Sequence, residues 1–495
     1  MRLLRPELLA IESCCRKTQN AASRRKREPP IAPYNSTVAS FFVENFGCRA
    51  TQADGAAIER QLLEKGLARG SSAIDAEVVV LNTCTVTASA DQDARAAIRR
   101  IKRGNPEARI IVTGCYAQRA PEEISRIEGV SLVVGNSHKH ALPTLAANLA
   151  PKGFVSVASI GVGTAATEAA PVVIGDIFAH TELMAAPVFD SESAAERTRP
   201  NLKIQDGCNN RCSFCVIPYV RGKSRSLTMD SVLHEVDSLV EAGYKEIVLS
   251  GINLGRWGND LRPRVRFEEL VRNIVENTAI PKVRISSVEP MDWSNELIAL
   301  VAESPKICKH AHAPLQSGSD RILRKMHRRY RPWHYADRLE RIRTAMPQAA
   351  IGADVMVGFP GETDEHFEET RSFIESLPFT YLHVFTYSSR PGTPSAAMAE
   401  QVPVYVARER NKVLRDLIAE KKHGFMESLV GKEIEAVTLT NQRDGMTEAL
   451  TDNYQKAMIA GEHTSNQLVR VRLDRVDGES LLGVITSVPS AHHEG

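Results

Sequence analysis

The stretch Leu202-Lys203-Ile204-Gln205-Asp206-Gly207-Cys208-Asn209-Asn210-Arg211-Cys212-Ser213-Phe214-Cys215 decides how this chain is read. It opens as a strand-like run, turns at Gly207, and then sets three cysteines at CxxxCxxC spacing. Three thiolates leave one iron of a cubane iron–sulfur cluster without a protein ligand. An open iron can chelate the amino and carboxylate groups of S-adenosylmethionine, and that combination is used for radical chemistry. Structural zinc prefers four protein ligands, commonly as two paired knuckles. No second pair follows here; Cys308, the next cysteine, stands alone far downstream and reads as a small buried residue. Cys208, Cys212 and Cys215 are therefore candidate ligands of a [4Fe-4S] cluster.

Residues 199–426 around this loop alternate strand and helix. Strands are expected at Leu202–Gln205, Glu246–Ser250, Val283–Val288, His310–Leu315, Gly352–Gly358 and Leu382–Tyr387. Helical patterns lie between them, for example Ser231–Glu241 and Asp364–Leu377. Six strand–helix units are too few for an eight-stranded barrel, so the pattern predicts an open (βα)6 partial barrel. Its site should lie at the carboxyl ends of the strands, where the cysteine loop falls. Ser250, Gly251, Asn253, Gln316, Asp354 and Gly358 lie in or just after these strands and are candidate cofactor contacts. Glycine there lets backbone approach a ligand closely.

Upstream, residues 38–149 also read as a parallel α/β domain. Val38–Asn45, Glu77–Asn82 and Arg109–Thr113 are strand runs, with helices about 54–66 and 88–103. Each strand run ends at a cysteine: Cys48, Cys84 and Cys115. Ligands of open α/β sheets bind beyond the carboxyl ends of the strands. One cysteine there could be a small turn residue; three in one small domain point to a second [4Fe-4S] site. Residues 150–198 read as a linker with some strand character. Residues 1–37 read as a disordered basic tail, with Arg24-Arg25-Lys26-Arg27 and Pro29-Pro30, and its Cys14 and Cys15 are not expected to be ligands.

Downstream, residues 427–490 change to short strands at Glu433–Leu439, Gln455–Ile459, Leu468–Leu473 and Ser480–Ile485. That is an all-β module of OB-like size, a shape that often binds single-stranded nucleic acid. Arg470 and Arg472 share a strand face. Two basic tracts could meet RNA phosphates: Arg221-Gly222-Lys223-Ser224-Arg225 beside Tyr219, and Arg321–Arg331, where six of 11 residues are Lys or Arg. Either could instead be a solvated surface.

A chain of 495 residues exceeds one hydrophobic core, so several domains are expected. The net charge of +2 carries no argument for nucleic acid; only local clusters do. The nine cysteines show no dense disulfide framework, which suits a reducing cytoplasm. No apolar run approaches 18 residues, and Pro6, Glu7 and Glu12 interrupt any secretory signal, so no membrane partner is expected.

The phrases Ile204-Gln205-Asp206-Gly207-Cys208-Asn209-Asn210, Cys212-Ser213-Phe214-Cys215-Val216-Ile217-Pro218-Tyr219, Pro314-Leu315-Gln316-Ser317-Gly318-Ser319-Asp320 and Gly358-Phe359-Pro360-Gly361-Glu362-Thr363 resemble the radical-SAM methylthiotransferases. Asn82-Thr83-Cys84-Thr85-Val86-Thr87 resembles that family's N-terminal domain. Gly445–Tyr454 resembles the region leading into its C-terminal TRAM domain. The resemblance implies two [4Fe-4S] clusters, S-adenosyl-L-methionine as cofactor, the tRNA anticodon stem-loop as partner and a flavodoxin- or ferredoxin-type electron donor. It implies that a cofactor-derived radical takes hydrogen from an adenine, while the cluster on Cys48, Cys84 and Cys115 presents a methylated sulfur. Among the family's branches, the one acting on carbon 2 of N6-threonylcarbamoyladenosine in tRNA matches most phrases. Thr51 before Gln52, and Arg329 where sister branches often carry glycine, are departures. The other branches act on isopentenyladenosine in tRNA or on a ribosomal-protein aspartate. A zinc-containing RNA-binding protein is the non-enzyme alternative.

Overall fold

The computed structural model describes residues 38–149, 169–180, 183 and 198–488. The expected basic tail, with Cys14 and Cys15, lies outside them.

Residues 38–149 with Val172–Val173 build a six-stranded sheet. In chain order its strands are β1 (Ser40–Asn45), β2 (Ala68–Arg69), β3 (Val78–Thr83), β4 (Arg109–Gly114), β5 (Val130–Gly135) and β6 (Val172–Val173), and their spatial order is β2-β1-β3-β4-β5-β6. All neighbours pair in parallel. Every residue of β3 is buried, because helices cover both faces of the sheet. One core gathers Val79, Leu81, Ile98, Ile110 and Val112; the other gathers Phe41, Ile58, Val78, Val80 and Ile111. Strand β5 is an apolar run that the sequence reading left unassigned. Strand β6 falls in the expected linker, yet it extends the sheet edge through Val133 and Val134. The first helix runs Arg49–Glu64, starting five residues before the expected 54, and Cys48 is its N-cap.

The central region carries β7 (Asn201–Asp206), β8 (Arg225–Ser226), β9 (Glu246–Gly251), β10 (Lys282–Ile285), β11 (His310–His312), β12 (Ala350–Val357) and β13 (Tyr381–Thr386). Hydrogen bonding divides them into β10-β9-β7-β8 and β11-β12-β13, joined by a single parallel bridge between Val283 and Ile307. The result is the expected open (βα)6 partial barrel, plus the short antiparallel β8. Strand β11 stops at His312 rather than Leu315, and Pro314, which has no N–H for a ladder, follows at once. In β12, Ile351, Ala353, Val355 and Val357 pack outward into the main helix-covered core. The alternate positions Gly352, Asp354 and Met356 therefore face the lumen.

The C-terminal module is a closed barrel of β14 (Glu433–Arg443), β15 (Met446–Thr451), β16 (Lys456–Ala460), β17 (Leu468–Asp477) and β18 (Ser480–Ser487), in spatial order β14-β15-β16-β18-β17. The segment read as a link, Gly445–Tyr454, thus supplies one of its strands. The barrel docks at the amino ends of the central strands. Lys245 N donates to Asn466 Oδ1 at 3.0 Å, Lys309 N to Asp452 Oδ1 at 2.6 Å, and Asn453 Nδ2 to the Gln348 carbonyl at 3.1 Å. It therefore lies at the opposite end of the partial barrel from the cysteine loop.

Candidate active site at two cysteine triads

The CxxxCxxC loop follows β7. Three groups donate to its sulfurs: Asn210 N to Cys208 Sγ at 3.4 Å, Asn253 Nδ2 to Cys208 Sγ at 3.6 Å, and Arg328 Nη1 to Cys212 Sγ at 3.3 Å. The Arg328 guanidinium is held by Glu289 and by the Tyr330 hydroxyl at 3.3 Å. Burial, with Cys212 and Cys208 nearby, pushes the Cys215 thiol up to about 12. Burial also raises Cys208. As free thiols these groups would stay protonated at neutral pH, so binding a metal there releases protons.

The other triad lies across three adjacent strands. Cys48 follows β1, Cys84 follows β3, and Cys115 opens the short helix Cys115–Arg119 after β4. Gly47 makes the approach possible: a Cβ there would stand 2.5 Å from Cys84 Cβ and 2.8 Å from its sulfur. Burial and the neighbouring Cys115 and Cys48 push the Cys84 thiol up to about 12. Asn136 Nδ2 reaches Cys115 Sγ at 3.6 Å and the Val220 carbonyl at 2.8 Å. Cys115 packs on Val216 and Val220, in the segment directly after Cys215. Both triads thus border the same short stretch of chain.

Four-coordinate zinc–thiolate bonds of 2.3 Å place sulfurs roughly 3.8 Å apart. Among the described residues, the group of three His, Cys, Asp or Glu ligand atoms lying within 4.8 Å of one another is His312, Asp354 and His383, not a cysteine triad. Hydrogen-bond donors at the cysteine sulfurs suit a polynuclear cluster, whose sulfurs accept such bonds. Asn253 Oδ1 is buried without a partner beside Cys208, an acceptor placed for a cofactor ammonium or hydroxyl.

The six candidate cofactor contacts divide. Ser250, Gly251 and Asn253 meet at the end of β9: Asn253 N donates to Gln205 Oε1 at 2.8 Å, and Ser250 Oγ donates to the Leu202 carbonyl at 3.3 Å. Gln316 bridges to β12, its N donating to the Asp354 carbonyl at 2.8 Å. The Asp354 carboxylate faces His312 and His383. Gly358 has a packing role: its N donates to Glu362 Oε2 at 2.6 Å, and a Cβ would press on Ala407 at 2.5 Å.

Each basic tract buries part of its charge and exposes the rest: Arg221, Arg225 and Arg328 are buried, whereas Lys223, Arg321, Arg324 and Arg329 are exposed. Arg221 is buried between Asp54, at 3.0 Å, and Asp206, at 3.0 Å; Lys203 and Lys139 complete the cluster on Asp54. Burial raises the Asp54 carboxyl, but Lys139, Lys203 and Arg221 outweigh it and hold it below the ordinary carboxylate range. This cluster ties the first helix to the partial barrel. In the second tract Arg328 binds Cys212, Lys325 pairs with Glu400, and Arg324 and Arg331 pair with Asp320. A charge run in sequence does not reveal which cations already have buried or local partners. No sequence signal marked Asp54 or Asn136, since their partners lie up to 167 residues away.

Two open grooves carry further cations, of which Arg199 faces Glu246 at 3.5 Å, Lys456 pairs with Glu448 at 3.0 Å and Lys422 faces Glu479 at 3.9 Å. One, of about 680 Å³, has Arg49, Gln52, Arg199, Asn441 and Lys456 on its wall. The other, of about 690 Å³, has Tyr381, His383, Arg415, Lys422, Tyr454 and Lys456. They share Arg199 and Lys456 and run between the partial barrel and the β-module.

Residues 202–374 match the Radical SAM superfamily, and residues 40–135 match the uncharacterized protein family UPF0004. The chain is 36% identical over 428 residues to the threonylcarbamoyladenosine tRNA methylthiotransferase MtaB of Aquifex aeolicus, covering 86% of this chain and 98% of that one. It is 37% identical over 445 residues to the MtaB of Bacillus subtilis, covering 88% and 94%. It is also 33% identical over 461 residues to a tRNA-2-methylthio-N(6)-dimethylallyladenosine synthase of Erythrobacter litoralis, covering 91% and 98%. Among solved structures, the radical S-adenosylmethionine methyltransferase TsrM of Kitasatospora setae superposes with a TM-score of 0.52 at 17% identity, over 73% of this chain and 75% of that one, a likeness of fold. An uninterrupted match along nearly the whole length of such relatives, with the cysteine loop at the carboxyl end of the first barrel strand, has one meaning: the chain belongs to the radical-SAM methylthiotransferase family.

Proposed function

We propose that this enzyme adds a methylthio group to carbon 2 of N6-threonylcarbamoyladenosine next to the tRNA anticodon. The observation that carries the proposal is the packing of Cys115 on Val216 and Val220, directly after Cys215 in the chain. Cys208, Cys212 and Cys215 would hold one [4Fe-4S] cluster, and Cys48, Cys84 and Cys115 the other. The first, with S-adenosylmethionine, supplies a radical strong enough to take hydrogen from an inert C–H bond; the second supplies the sulfur.

The chain's own residues set up that chemistry. Ser250, Gly251, Asn253 and Gln316 would line the cofactor seat, with Asp354 and Gly358 supporting it from β12. Arg328 sets a positive charge beside Cys212, and Asn253 donates a hydrogen bond to Cys208. Arg49, Arg199, Arg415, Lys422 and Lys456 in the grooves would hold RNA phosphates, which contribute most of the affinity of such complexes. The target base must leave its stack to reach the triads. Regions 38–149, 199–426 and 427–490 then divide the labour: sulfur delivery, radical generation and RNA holding. A flavodoxin- or ferredoxin-type protein in the cytoplasm would supply electrons. No helix among the described residues is long and apolar enough to cross a membrane.

Relatives named for dimethylallyladenosine support a second reading, in which isopentenyladenosine is the substrate. Mass spectrometry of tRNA nucleosides from a deletion strain separates the two. Loss of methylthio-threonylcarbamoyladenosine is expected. Loss of the isopentenyl derivative alone would select the second reading, and an unchanged profile would refute both.

A further inference from the structure

Three adjacent strands of the partial barrel carry His312, Asp354 and His383, with His312 registered against Gly352, two residues before Asp354. Asp354 and His383 are direct partners across β12 and β13, and His312 ends the neighbouring β11. His312 Nε2 stands 3.3 Å from Asp354 Oδ2, and His383 Nδ1 stands 3.2 Å from Asp354 Oδ1. All three ligand atoms lie within 4.8 Å of one another. Imidazole and carboxylate ligands bind an ion at about 2.0–2.2 Å, which sets neighbouring ligand atoms roughly 3.0–3.4 Å apart.

A carboxylate receiving two imidazole N–H groups would give similar distances, so the alignment matters. His312 is 4% exposed, and its Nε2 makes no hydrogen bond despite its closeness to Asp354. Its other nitrogen, Nδ1, is 2.9 Å from the Tyr381 hydroxyl, which is also 2.6 Å from His310 Nε2. A hydrogen bond on one ring nitrogen that orients the other is the usual support of a metal-ligating histidine. Gly352 makes this support possible: a Cβ there would lie 1.9 Å from the Tyr381 ring. Among the described residues no Lys or Arg pairs with Asp354; its ion-pair partners are the two histidines. A buried ring nitrogen without a hydrogen-bond partner, set beside a carboxylate and a second imidazole, suits a cation.

We propose that His312, Asp354 and His383 form a binding site for one divalent first-row transition-metal ion, separate from both cysteine triads. Two imidazoles and a carboxylate suit zinc, iron(II) or manganese and leave coordination positions open. The site is open on its His383 side, which lines the groove shared with Tyr454, so oxygen ligands from a bound molecule could fill those positions.

The test uses the full chain reconstituted with iron and sulfide under anaerobic conditions. Mn²⁺ is the probe, because as a hard ion it avoids thiolates. The loss of the free Mn²⁺ EPR signal measures binding, with Zn²⁺ as competitor. One saturable Mn²⁺ per chain is expected, displaced by Zn²⁺. Affinity should fall at least about tenfold in His383→Gln and in Asp354→Asn, with iron and sulfide content unchanged. His383 is exposed, so its variant keeps the test valid if the Asp354 variant folds poorly. Absence of saturable binding, or equal binding in wild type and His383→Gln, overturns the proposal and leaves the trio as a hydrogen-bonded carboxylate.

Discussion

The two cysteine triads reach similar surroundings by opposite routes. The Cys208 triad is local: eight consecutive residues carry all three sulfurs, and one turn after β7 orients them. The Cys48 triad is assembled by a whole sheet, from strand ends 36 and 31 residues apart in sequence, and it depends on the parallel order β1-β3-β4. Their supports differ as well. The local triad has a buried guanidinium on Cys212 and an amide on Cys208. The assembled triad has Asn136 on Cys115 and the Arg221 charge nearby. A local site should therefore survive loosening of the domains, whereas an assembled one should not.

The largest effect should come from the sulfurs themselves. Replacing Cys208, Cys212 and Cys215 by alanine should abolish both methylthio transfer and reductive cleavage of S-adenosylmethionine. Replacing Cys48, Cys84 and Cys115 should abolish transfer but leave cleavage, read as 5′-deoxyadenosine by mass spectrometry. Equal loss of cleavage in both triple variants would break the division of labour.

Next in size is the charge cluster between the domains. Asp54→Asn leaves Lys139, Lys203 and Arg221 buried without their common partner, at a cost of about 3–5 kcal/mol. The denaturation midpoint should fall accordingly, and iron should be lost from the Cys48 triad before the Cys208 triad. The wild-type contribution has a definite sign with pH. The folded Asp54 carboxyl is depressed, so its stabilisation is present above the ordinary unfolded value near 3.9 and is lost progressively as pH falls below that. An unchanged midpoint in Asp54→Asn would remove this cluster from the account.

Arg328 offers a finer test. Arg328→Met removes a donor and a positive charge from Cys212, so the reduction potential of the Cys208-triad cluster should fall, on the order of 60 mV, one decade in a one-electron equilibrium. Arg328→Lys should recover part of the shift. Redox titration followed by EPR reads it, and the other cluster serves as internal control. A shift common to both clusters would point to a general structural effect.

The smallest effect concerns Asp292, which pairs with Arg256 at 2.9 Å on the flank of the Cys208 triad. Burial raises its carboxyl to about 6, although Arg256 opposes this. A raised acid stabilises the fold below its unfolded pKa and loses that stabilisation as pH rises through about 6. Asp292→Asn should therefore gain about 1–2 kcal/mol at pH 7 and little at pH 4, measured by urea denaturation at both values. Equal gains at both pH values would show that the effect is not titration.

What was legible in the sequence follows from range. The cysteine loop and the strand-end cysteines could be read because a motif or a strand run keeps its meaning over a few residues. Within the basic tracts the same limit hides which cations are buried and which stay exposed. Arg221 and Arg328 look like surface cations until Asp54, Asp206 and Cys212 are brought to them. The resemblance places Gly445–Tyr454 ahead of the C-terminal module, whereas the pairing of β15 with β14 and β16, which is invisible locally, makes it part of the barrel.

By itself the sequence determined the two three-cysteine sets, the alternation of strand and helix around them and the all-β end, since these depend on covalent spacing and local periodicity. Only the tertiary structure decided that Cys115 packs against the chain leaving Cys215, that the β-module docks at the far end of the barrel, and that ligand atoms of His312, Asp354 and His383 lie within 4.8 Å of one another. Those facts depend on burial and on charges that meet across more than a hundred residues or across neighbouring strands, and no local pattern encodes such meetings.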